Sequence, residues 1–432
     1  MKICSLYGAG FYYMPGTDTC IKIGGFVRAE VNVNSGGSYS VVTTGDRDSN
    51  NYAGLDDWRT RAGVTLDTRS QTEYGTLRSY FVIASTSDNS QSGSASGGAG
   101  LNAGNPGSSG RNPYTRLWSN AAFIQFAGFT AGRTGSFFDF DTQSYSNQTN
   151  FWGSNLAGGG IDVFAYTAQF GNGLSASIAA EDANGHRTGI TSIPFTSTSL
   201  TTPGASWQYG NQQAPDVVGN LRLDQAWGSA QVMGAYHELV GNSTGAITGT
   251  EMNSSGFAVG AGLKINVPML GKGDFVIAQA NYSDGASLYA VSNGGNGFDR
   301  TRDHGATVSY GPINDAVVVA GGFDKTKVWS ITGGYEHHWN SQWKTSLYGA
   351  YGEVSYSDAA SAVLLAAGAT PGSSANWNYA QVGSRTVWTP VQNLDLSLEV
   401  MYNHLETAFA GPAIDDESWV SGMFRVQRNF YP

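Results

Sequence analysis

The feature that most constrains the fold is a two-residue alternation of apolar and polar side chains. It is clearest at 394–406, where leucine, valine and tyrosine take every second position and Asp395, Glu399 and Asn403 lie between them. This is the period of a β-strand with one apolar face and one polar face. The alternation is also clear at 20–33 and recurs along most of the chain. The sequence therefore predicts an all-β fold.

The alternating segments number sixteen, and an even count returns both chain ends to the same side of a closed sheet. They are 20–33, 58–69, 74–85, 117–128, 129–137, 161–170, 173–182, 216–225, 229–240, 256–267, 274–284, 327–339, 343–357, 377–388, 394–406 and 418–430. A further alternating run at 316–323 leaves this count open by one hairpin.

The connections alternate between short turns and long polar loops. The short ones are 71–73, 171–172, 226–228, 268–273, 340–342 and 390–393. The long ones are 34–56, 86–114, 139–160, 183–215, 241–255, 285–326, 358–376 and 407–417. Short turns at one end and long loops at the other are typical of transmembrane β-barrels. A secreted β-adhesin is the structural alternative, but it has no reason to keep this rule.

Composition agrees with a sheet that has lipid on one side and water on the other. Only 13% of the 432 residues are charged, about half the roughly 25% of a soluble domain. The mean hydropathy of -0.24 nevertheless shows that the chain is not oily. No apolar run approaches the roughly 20 residues that a membrane-spanning helix needs. The formal net charge of -10 argues against a nucleic-acid partner, which would need a basic surface.

The third long loop, 139–160, is predicted to fold back into the barrel and to set the width of its pore. Loops longer than about 12 to 15 residues are usually functional or disordered. Asp139 and Asp141 would supply acidic groups at this constriction. The residues expected to anchor the loop to the wall are Asn147, Asn150, Phe151 and Trp152, and the glycines at 158–160 would let the chain turn back.

Basic residues are concentrated on the first five strands, since nine of the sixteen arginines precede residue 135. The alternation predicts interior positions for Arg28, Arg59, Arg61, Arg78 and Arg133. A basic wall opposite an acidic loop would create a transverse field across the pore. In the alternative interpretation these arginines pair with Glu30, Asp67 and Glu73 to hold the strand register. Four further residues, Arg222, Lys264, Arg385 and Arg425, would extend the wall.

The two cysteines, Cys4 and Cys20, enclose most of a short N-terminal segment, 1–19. In an oxidising compartment such a pair can close a loop, which would contribute about 3 kcal/mol in the chain-entropy model. Two free thiols are the alternative. Met1 leads directly into Lys2 without an apolar signal segment, so we expect a mature chain with an added start residue.

Motifs that suggest catalysis or metal binding lack the necessary context. The segment 241–245 matches the G-x-S-x-G nucleophile pattern but lies in a loop with no following helix. His337 and His338 are adjacent on a strand and point to opposite faces, so they cannot chelate one ion together. Asp and Asn side chains in the long loops leave bound Ca²⁺ open, although no spacing resembles an EF-hand. We predict no enzyme, no cofactor and no other metal.

Four stretches resemble mature general porins of the alphaproteobacterial outer membrane. They are CSLYGAGFYYMPGTDTCIKIGGFVR at 4–28, AFIQFAGFTAGRTGSFFDFD at 122–141, NQTNFWG at 147–153 and AYTAQFGNGLSASIAAE at 165–181. The resemblance implies one domain over 1–432, a 16-stranded antiparallel transmembrane β-barrel with an inward-folded third loop. It also implies a homotrimer among outer-membrane lipid and lipopolysaccharide, and passive diffusion of small hydrophilic solutes and ions.

Two points about this resemblance stay open. A solute-selective porin with a weak binding track is the alternative function. The other point concerns the C-terminus. Outer-membrane proteins of the type that this chain resembles usually finish on an aromatic residue, which Phe430 matches, yet Tyr431 and Pro432 follow it.

Overall fold

The computed structural model describes twelve segments of the chain. They are residues 3–34, 45–46, 56–88, 114–148, 150–154, 159–192, 207–243, 251–292, 297–302, 307–320, 322–365 and 369–430.

Sixteen strands form one antiparallel barrel, as the alternation predicted. They are β1 (Cys20–Val33), β2 (Asp56–Thr72), β3 (Gly75–Asp88), β4 in two pieces (Tyr114–Trp118 and Ala122–Phe126), β5 (Phe129–Thr134), β6 (Ile161–Gly171), β7 (Leu174–Glu181), β8 (Asp216–Gln225), β9 (Gly228–Ser243), β10 (Glu251–Asn266), β11 (Phe275–Asp284), β12 (Lys327–His338), β13 (Trp343–Ser355), β14 (Trp377–Val391), β15 (Leu394–Glu406) and β16 (Glu417–Phe430). The short strands Tyr12–Tyr13 and Trp207–Tyr209 add to this sheet at β1 and β9.

The barrel closes where the last strand pairs with the first. Gly25 of β1 lies opposite Phe430 of β16, and Glu30 lies opposite Arg425. Closure leaves no strand edge unpaired, which is the condition for a sheet to span a membrane, where no water can satisfy backbone groups.

The faces of the strands are reversed relative to a soluble protein. Phe164 on β6 is 76% exposed and Leu398 on β15 is exposed as well, whereas their polar counterparts point to the interior. Gln279 on β11 and Glu399 on β15 are at most 1% exposed. An apolar outer surface around a polar interior is the arrangement of a transmembrane barrel.

Strands are joined by tight turns at one end of the barrel. The turn between β6 and β7 is formed by Gly171, Asn172 and Gly173, all with positive φ. Asn393, between β14 and β15, has φ 64°. Glycine and asparagine tolerate this left-handed conformation better than other residues, which explains why these turns can be so short.

The connections at the other end carry small elements of their own. Helix α1 (Asp358–Leu364) follows β13, and none of the helices in the described residues is long and apolar enough to cross a membrane. The hairpin Ala316–Val319 with Gly322–Lys325 pairs with Ile190–Thr191 in a separate three-stranded sheet. The alternating run at 316–323 therefore adds no strand to the barrel.

The N-terminal segment is tied to the first strand. Cys4 and Cys20 form a disulfide, with Cα atoms 6.0 Å apart, and both pack with Phe11 in a small apolar cluster. The Phe11 ring lies against Arg69 of β2, whose guanidinium carbon is 4.9 Å from the ring centroid. Since Cys20 and Arg69 are cross-strand partners on the interior face, the segment lies at the turn end of the interior.

Candidate functional site

The connection between β5 and β6, residues 135–160 and called L3 below, contacts the interior face of the barrel. Its first part is held by a carboxylate on β7, because Glu181 accepts hydrogen bonds from Ser136 Oγ and the Phe137 N–H, both at 2.8 Å. The Asp141 N–H then donates to Gln279 Oε1 on β11 at 2.7 Å.

The middle of L3 lies against the last three strands. The Asn147 N–H donates to Glu399 on β15 at 3.0 Å, and its side-chain oxygen accepts from Arg425 on β16 at 2.8 Å. Arg385 on β14 donates to the Ser144 carbonyl at 2.9 Å. Asn147 therefore makes the kind of anchoring contacts that the sequence suggested for it.

The returning part of L3 is held by aromatic packing. The Phe151 N–H donates to Gln381 Oε1 at 2.6 Å, and Trp152 Nε1 donates to the Tyr379 carbonyl at 2.7 Å. The Trp152 ring stacks on Trp377, with centroids 5.7 Å apart. Both L3 rings are fully buried, so these predicted anchors hold the loop to β14.

Glycines inside the strands make room for the L3 rings. A Cβ at each of three interior glycines would collide with a ring: Gly262 with Phe140, Gly334 with Tyr145 and Gly352 with Trp152. Sequence reasoning missed these sockets. Glycine within a strand interior is a known sign of close approach by another group, and that signal was present in the sequence.

L3 covers one part of the interior and leaves another part partly open. Most interior side chains of β11–β15 are buried, including Gln279, Gln381 and Glu399. On β1–β3, by contrast, the side chains of Arg28 and Arg78 are 16% and 27% exposed. Among the described residues, the partly open lining therefore includes the basic wall of the first strands, together with Arg222 on β8, whose side chain is 36% exposed.

Glu30 organises the predicted arginines at the level of L3. It is buried on β1 and forms ion pairs with Arg59 of β2 and with Arg425 of β16, whose Nε lies 2.6 Å from Oε2. Arg28 lies 3.6 Å from the same carboxylate. Arg59 is 2% exposed, so it acts mainly inside this cluster.

Two further predicted arginines also lie on the interior face. The Arg61 guanidinium carbon is 5.1 Å from the ring centroid of Trp118 on β4. Arg78 pairs with Asp67 at 3.1 Å and donates to Gln125 at 2.9 Å. These strands therefore combine the two arrangements considered from the sequence: arginines paired with carboxylates across strands, and a basic lining of the interior.

Arg133 departs from the interior position that the alternation predicted. On β5 it lies four residues after Phe129 and therefore on the same face as that ring, which is 61% exposed on the outer surface. Its cross-strand partner is Asp162, 3.5 Å away, which shares a face with the outward Phe164. Because β5 contains small residues at 131 and 132, its polarity pattern gave no clear sign of which face is which.

The acidic residues of L3 do not lie free at its surface. Asp141 is 2% exposed, and it accepts hydrogen bonds from Tyr145 Oη at 2.7 Å and from the Gln143 N–H at 2.8 Å. Asp139 is half-buried. Burial raises the pKa of both carboxyls, well above the usual range for Asp139, although hydrogen bonds with Ser154 and Tyr145 oppose the shift.

The described residues include only part of the loops in which bound Ca²⁺ was predicted, and only part of the predicted glycine turn at 158–160. Within them, no three His, Cys, Asp or Glu side chains are arranged to hold a metal ion. Loop-bound Ca²⁺ stays a prediction, since much of the long loops is outside this range. Of the predicted turn glycines, Gly160 has φ 69° and Gly158 lies outside the described residues.

A closed, even-stranded barrel with an apolar outer surface, a polar interior and long loops at one end defines a transmembrane β-barrel of the outer membrane. The chain belongs to the Porin subfamily, whose family model matches residues 1–423.

Two curated relatives carry the same family name. The chain is 28% identical over 247 residues to porin Omp2b of Brucella canis and 27% identical over 247 residues to porin Omp2b of Brucella abortus. In both comparisons the match covers 56% of this chain and 57% of the relative. The chain thus spans just over half the length of the curated relatives it matches.

Solved structures share the fold. The outer membrane channel DcaP of Acinetobacter baumannii superimposes with a TM-score of 0.64 at 14% identity, covering 97% of this chain and 99% of that one. The outer membrane protein OmpT of Vibrio cholerae gives a TM-score of 0.51 at 8% identity, covering 96% of this chain and 99% of the other. At these identities the likeness concerns the fold alone.

Proposed function

We propose that this porin forms a water-filled channel for passive diffusion of small hydrophilic solutes and ions, acting as a channel rather than as an enzyme. The observation that carries the proposal is the unequal lining of the interior. L3 buries most interior polar side chains of β11–β15, whereas four interior arginines of β1–β3, Arg28, Arg61, Arg69 and Arg78, stay partly exposed. A polar, partly exposed wall inside a closed barrel supports a hydrated path along that wall.

We further propose that L3 narrows this path and that the wall opposite it favours anions. The charge of the wall comes from Arg28, Arg61 and Arg78, while their acidic partners Glu30 and Asp67 are more deeply buried. Rings of basic side chains attract anions into a pore. In this proposal Asp139 and Asp141 mainly shape L3, because burial disfavours their charged forms.

The experiment is reconstitution into planar bilayers and into liposomes. We expect discrete conductance steps that grow linearly with salt concentration, and liposome swelling that falls smoothly as the sugar grows. Saturation at one particular sugar would instead support a solute-selective porin with a weak binding track. Absence of conductance from protein that runs as a folded barrel would contradict the channel.

The family resemblance supports a proposal for the quaternary state and the surroundings of the barrel. We propose a homotrimer embedded in outer-membrane lipid and contacting lipopolysaccharide at the long-loop end. A trimer band that resists SDS and disappears on heating would support this assembly, and a folded monomer in mild detergent would count against it.

A further inference from the structure

The interior face of β1–β4 carries aromatic rings interleaved with its arginines. Toward the long-loop end, the Arg28 guanidinium carbon is 5.5 Å from the ring centroid of Phe26, and that of Arg61 is 5.1 Å from the centroid of Trp118. Arg28 and Arg61 are direct cross-strand neighbours. These four residues form one group, called the upper group below.

A second set of rings and arginines lies nearer the turns. Arg78 is 5.1 Å from the ring centroid of Tyr80 and 5.3 Å from that of Phe123, and the two rings are 5.3 Å apart. Arg69, the cross-strand partner of Arg78, lies 4.9 Å from the centroid of Phe11. These residues form the lower group. Arg61 of the upper group and Arg69 of the lower group are eight positions apart on β2. At about 3.3 Å per residue, they are separated by roughly 26 Å along the strand.

The two groups share a physical character that a simple basic wall lacks. Cation–π attraction holds each guanidinium close to a ring, so charge and flat apolar surface lie side by side. The groups are only partly covered, since the side chains of Arg28, Arg69 and Arg78 are 16%, 29% and 27% exposed. Phe26, Phe123 and the other rings of β1–β4 in these groups are half-buried.

We propose that this wall is a binding track for planar aromatic anions, with aryl carboxylates as the ligand class. A carboxylate would bind a guanidinium in its plane, while the aryl ring would stack on a neighbouring ring or guanidinium face. An inorganic anion or an aliphatic carboxylate can use the charge alone. The inference rests on the proposed channel and adds a preference among the anions that pass through it.

The experiment compares benzoate with cyclohexanecarboxylate, which has the same charge and a six-membered ring but no π face. Each is titrated into the bath while KCl current through the reconstituted channel is recorded. Benzoate is expected to reduce the current at a concentration roughly two- to five-fold lower than cyclohexanecarboxylate does, the range that an exposed cation–π contact supports.

A double variant, Trp118→Leu with Phe123→Leu, removes one ring from each group and keeps every arginine. We expect the benzoate preference to be smaller in this variant than in the native channel, because Phe26, Tyr80 and Phe11 remain beside the arginines. The matched control is Phe164→Leu, which removes an outward ring that is 76% exposed and should leave the benzoate preference intact. Displaced arginines would shift both carboxylates equally, so the ratio between them isolates the contribution of the rings.

Three outcomes decide the inference. Equal half-effect concentrations on the native channel would overturn it, and so would a benzoate preference in the double variant as large as the native one. If the double variant does not fold, Phe123→Leu alone is measured, and a preference equal to the native one would then overturn the placement. Loss of all KCl conductance from the native protein would instead contradict the proposed channel itself.

Discussion

Arg425 on the last strand donates from Nε to Glu30 on the first strand at 2.6 Å, across the seam that closes the barrel. The two residues are direct cross-strand partners. The same arginine donates to the side chain of Asn147 in L3 at 2.8 Å. The contact that joins the ends of the sheet therefore also positions the loop that crosses the interior.

Replacing Glu30→Gln should lower the stability of the barrel strongly. The change leaves Arg28, Arg59 and Arg425 crowded without their shared carboxylate, and removal of one partner from a buried ion pair costs roughly 3–5 kcal/mol. The readout is the temperature at which the folded band is lost on an SDS gel. Asp162→Asn is the control, because its ion pair lies on the exposed surface and such pairs contribute about 0–1 kcal/mol. Equal shifts for both variants would contradict this account of the seam.

Replacing Gly262→Ala should displace L3. The new Cβ would collide with the ring of Phe140, and overpacking of this kind typically costs about 1–3 kcal/mol. Because the ring must move toward the open part of the interior, we also expect a smaller single-channel conductance. Gly219→Ala is the control, since its Cβ would meet its nearest neighbour, Ser177 O, at an ordinary 3.7 Å. Unchanged conductance and stability in Gly262→Ala would show that L3 is not seated on this glycine.

The double variant Arg28→Ala with Arg61→Ala should weaken the anion preference of the channel. A unit charge at 4 Å in a water-like medium contributes about 1 kcal/mol, so each of the two replacements should lower the chloride-to-potassium permeability ratio by about five-fold or less. The ratio is obtained from the reversal potential in a KCl gradient. Arg133→Ala serves as the control, because that arginine lies on the outward face beside Asp162. The basic-wall proposal fails if the two variants shift the reversal potential alike.

Acidification should weaken the packing of the loop segment 183–192, which follows β7 and contains the buried His186. Burial lowers the pKa of His186 from 6.5 to about 4, although Asp216, 3.5 Å away, favours the charged form. The remaining groups that face this imidazole are Glu181, Asp182, His237 and Tyr289.

The sign of the effect follows from the lowered pKa. When the segment 183–192 is released from its contacts, His186 takes up a proton below pH 6.5. In the packed segment it does so only near pH 4. The contribution of His186 to this packing is therefore complete above pH 6.5 and is lost as the pH falls toward 4. Protease cleavage between 183 and 192 should increase over that window, and His186→Gln should flatten the dependence. An identical pH profile for both proteins would exclude His186 as the cause.

Much of the barrel could be predicted because its information is local. Leu398 and Glu399 are neighbours with opposite polarity, and in a strand neighbours always face opposite sides, so the pattern assigns both faces. The turn at Gly171 and Asn172 is equally local, since both residue types accept the left-handed backbone that a tight turn needs. Where polarity contrast is weak, as around Arg133, the same reasoning assigned the wrong face.

Less of the candidate site than of the barrel could be predicted from the sequence, because the site is formed by contacts between distant parts of the chain. Asn147 meets Glu399 across 252 positions, and nothing in either local sequence specifies that partner. The glycine sockets are similar, because Gly262 is an ordinary strand glycine until Phe140 packs on it. Asp141 looked like a pore-lining acid, but Tyr145 and the backbone of Gln143 bind its carboxylate inside the loop.

The sequence by itself indicated sixteen strands, most of their faces and the ends at which turns and loops lie, because each of these depends on residues that are adjacent in the chain. The tertiary structure alone decided which side of the interior L3 covers and which arginines remain partly exposed. Those outcomes depend on ring packing and hydrogen bonds between segments that meet only when the barrel has closed.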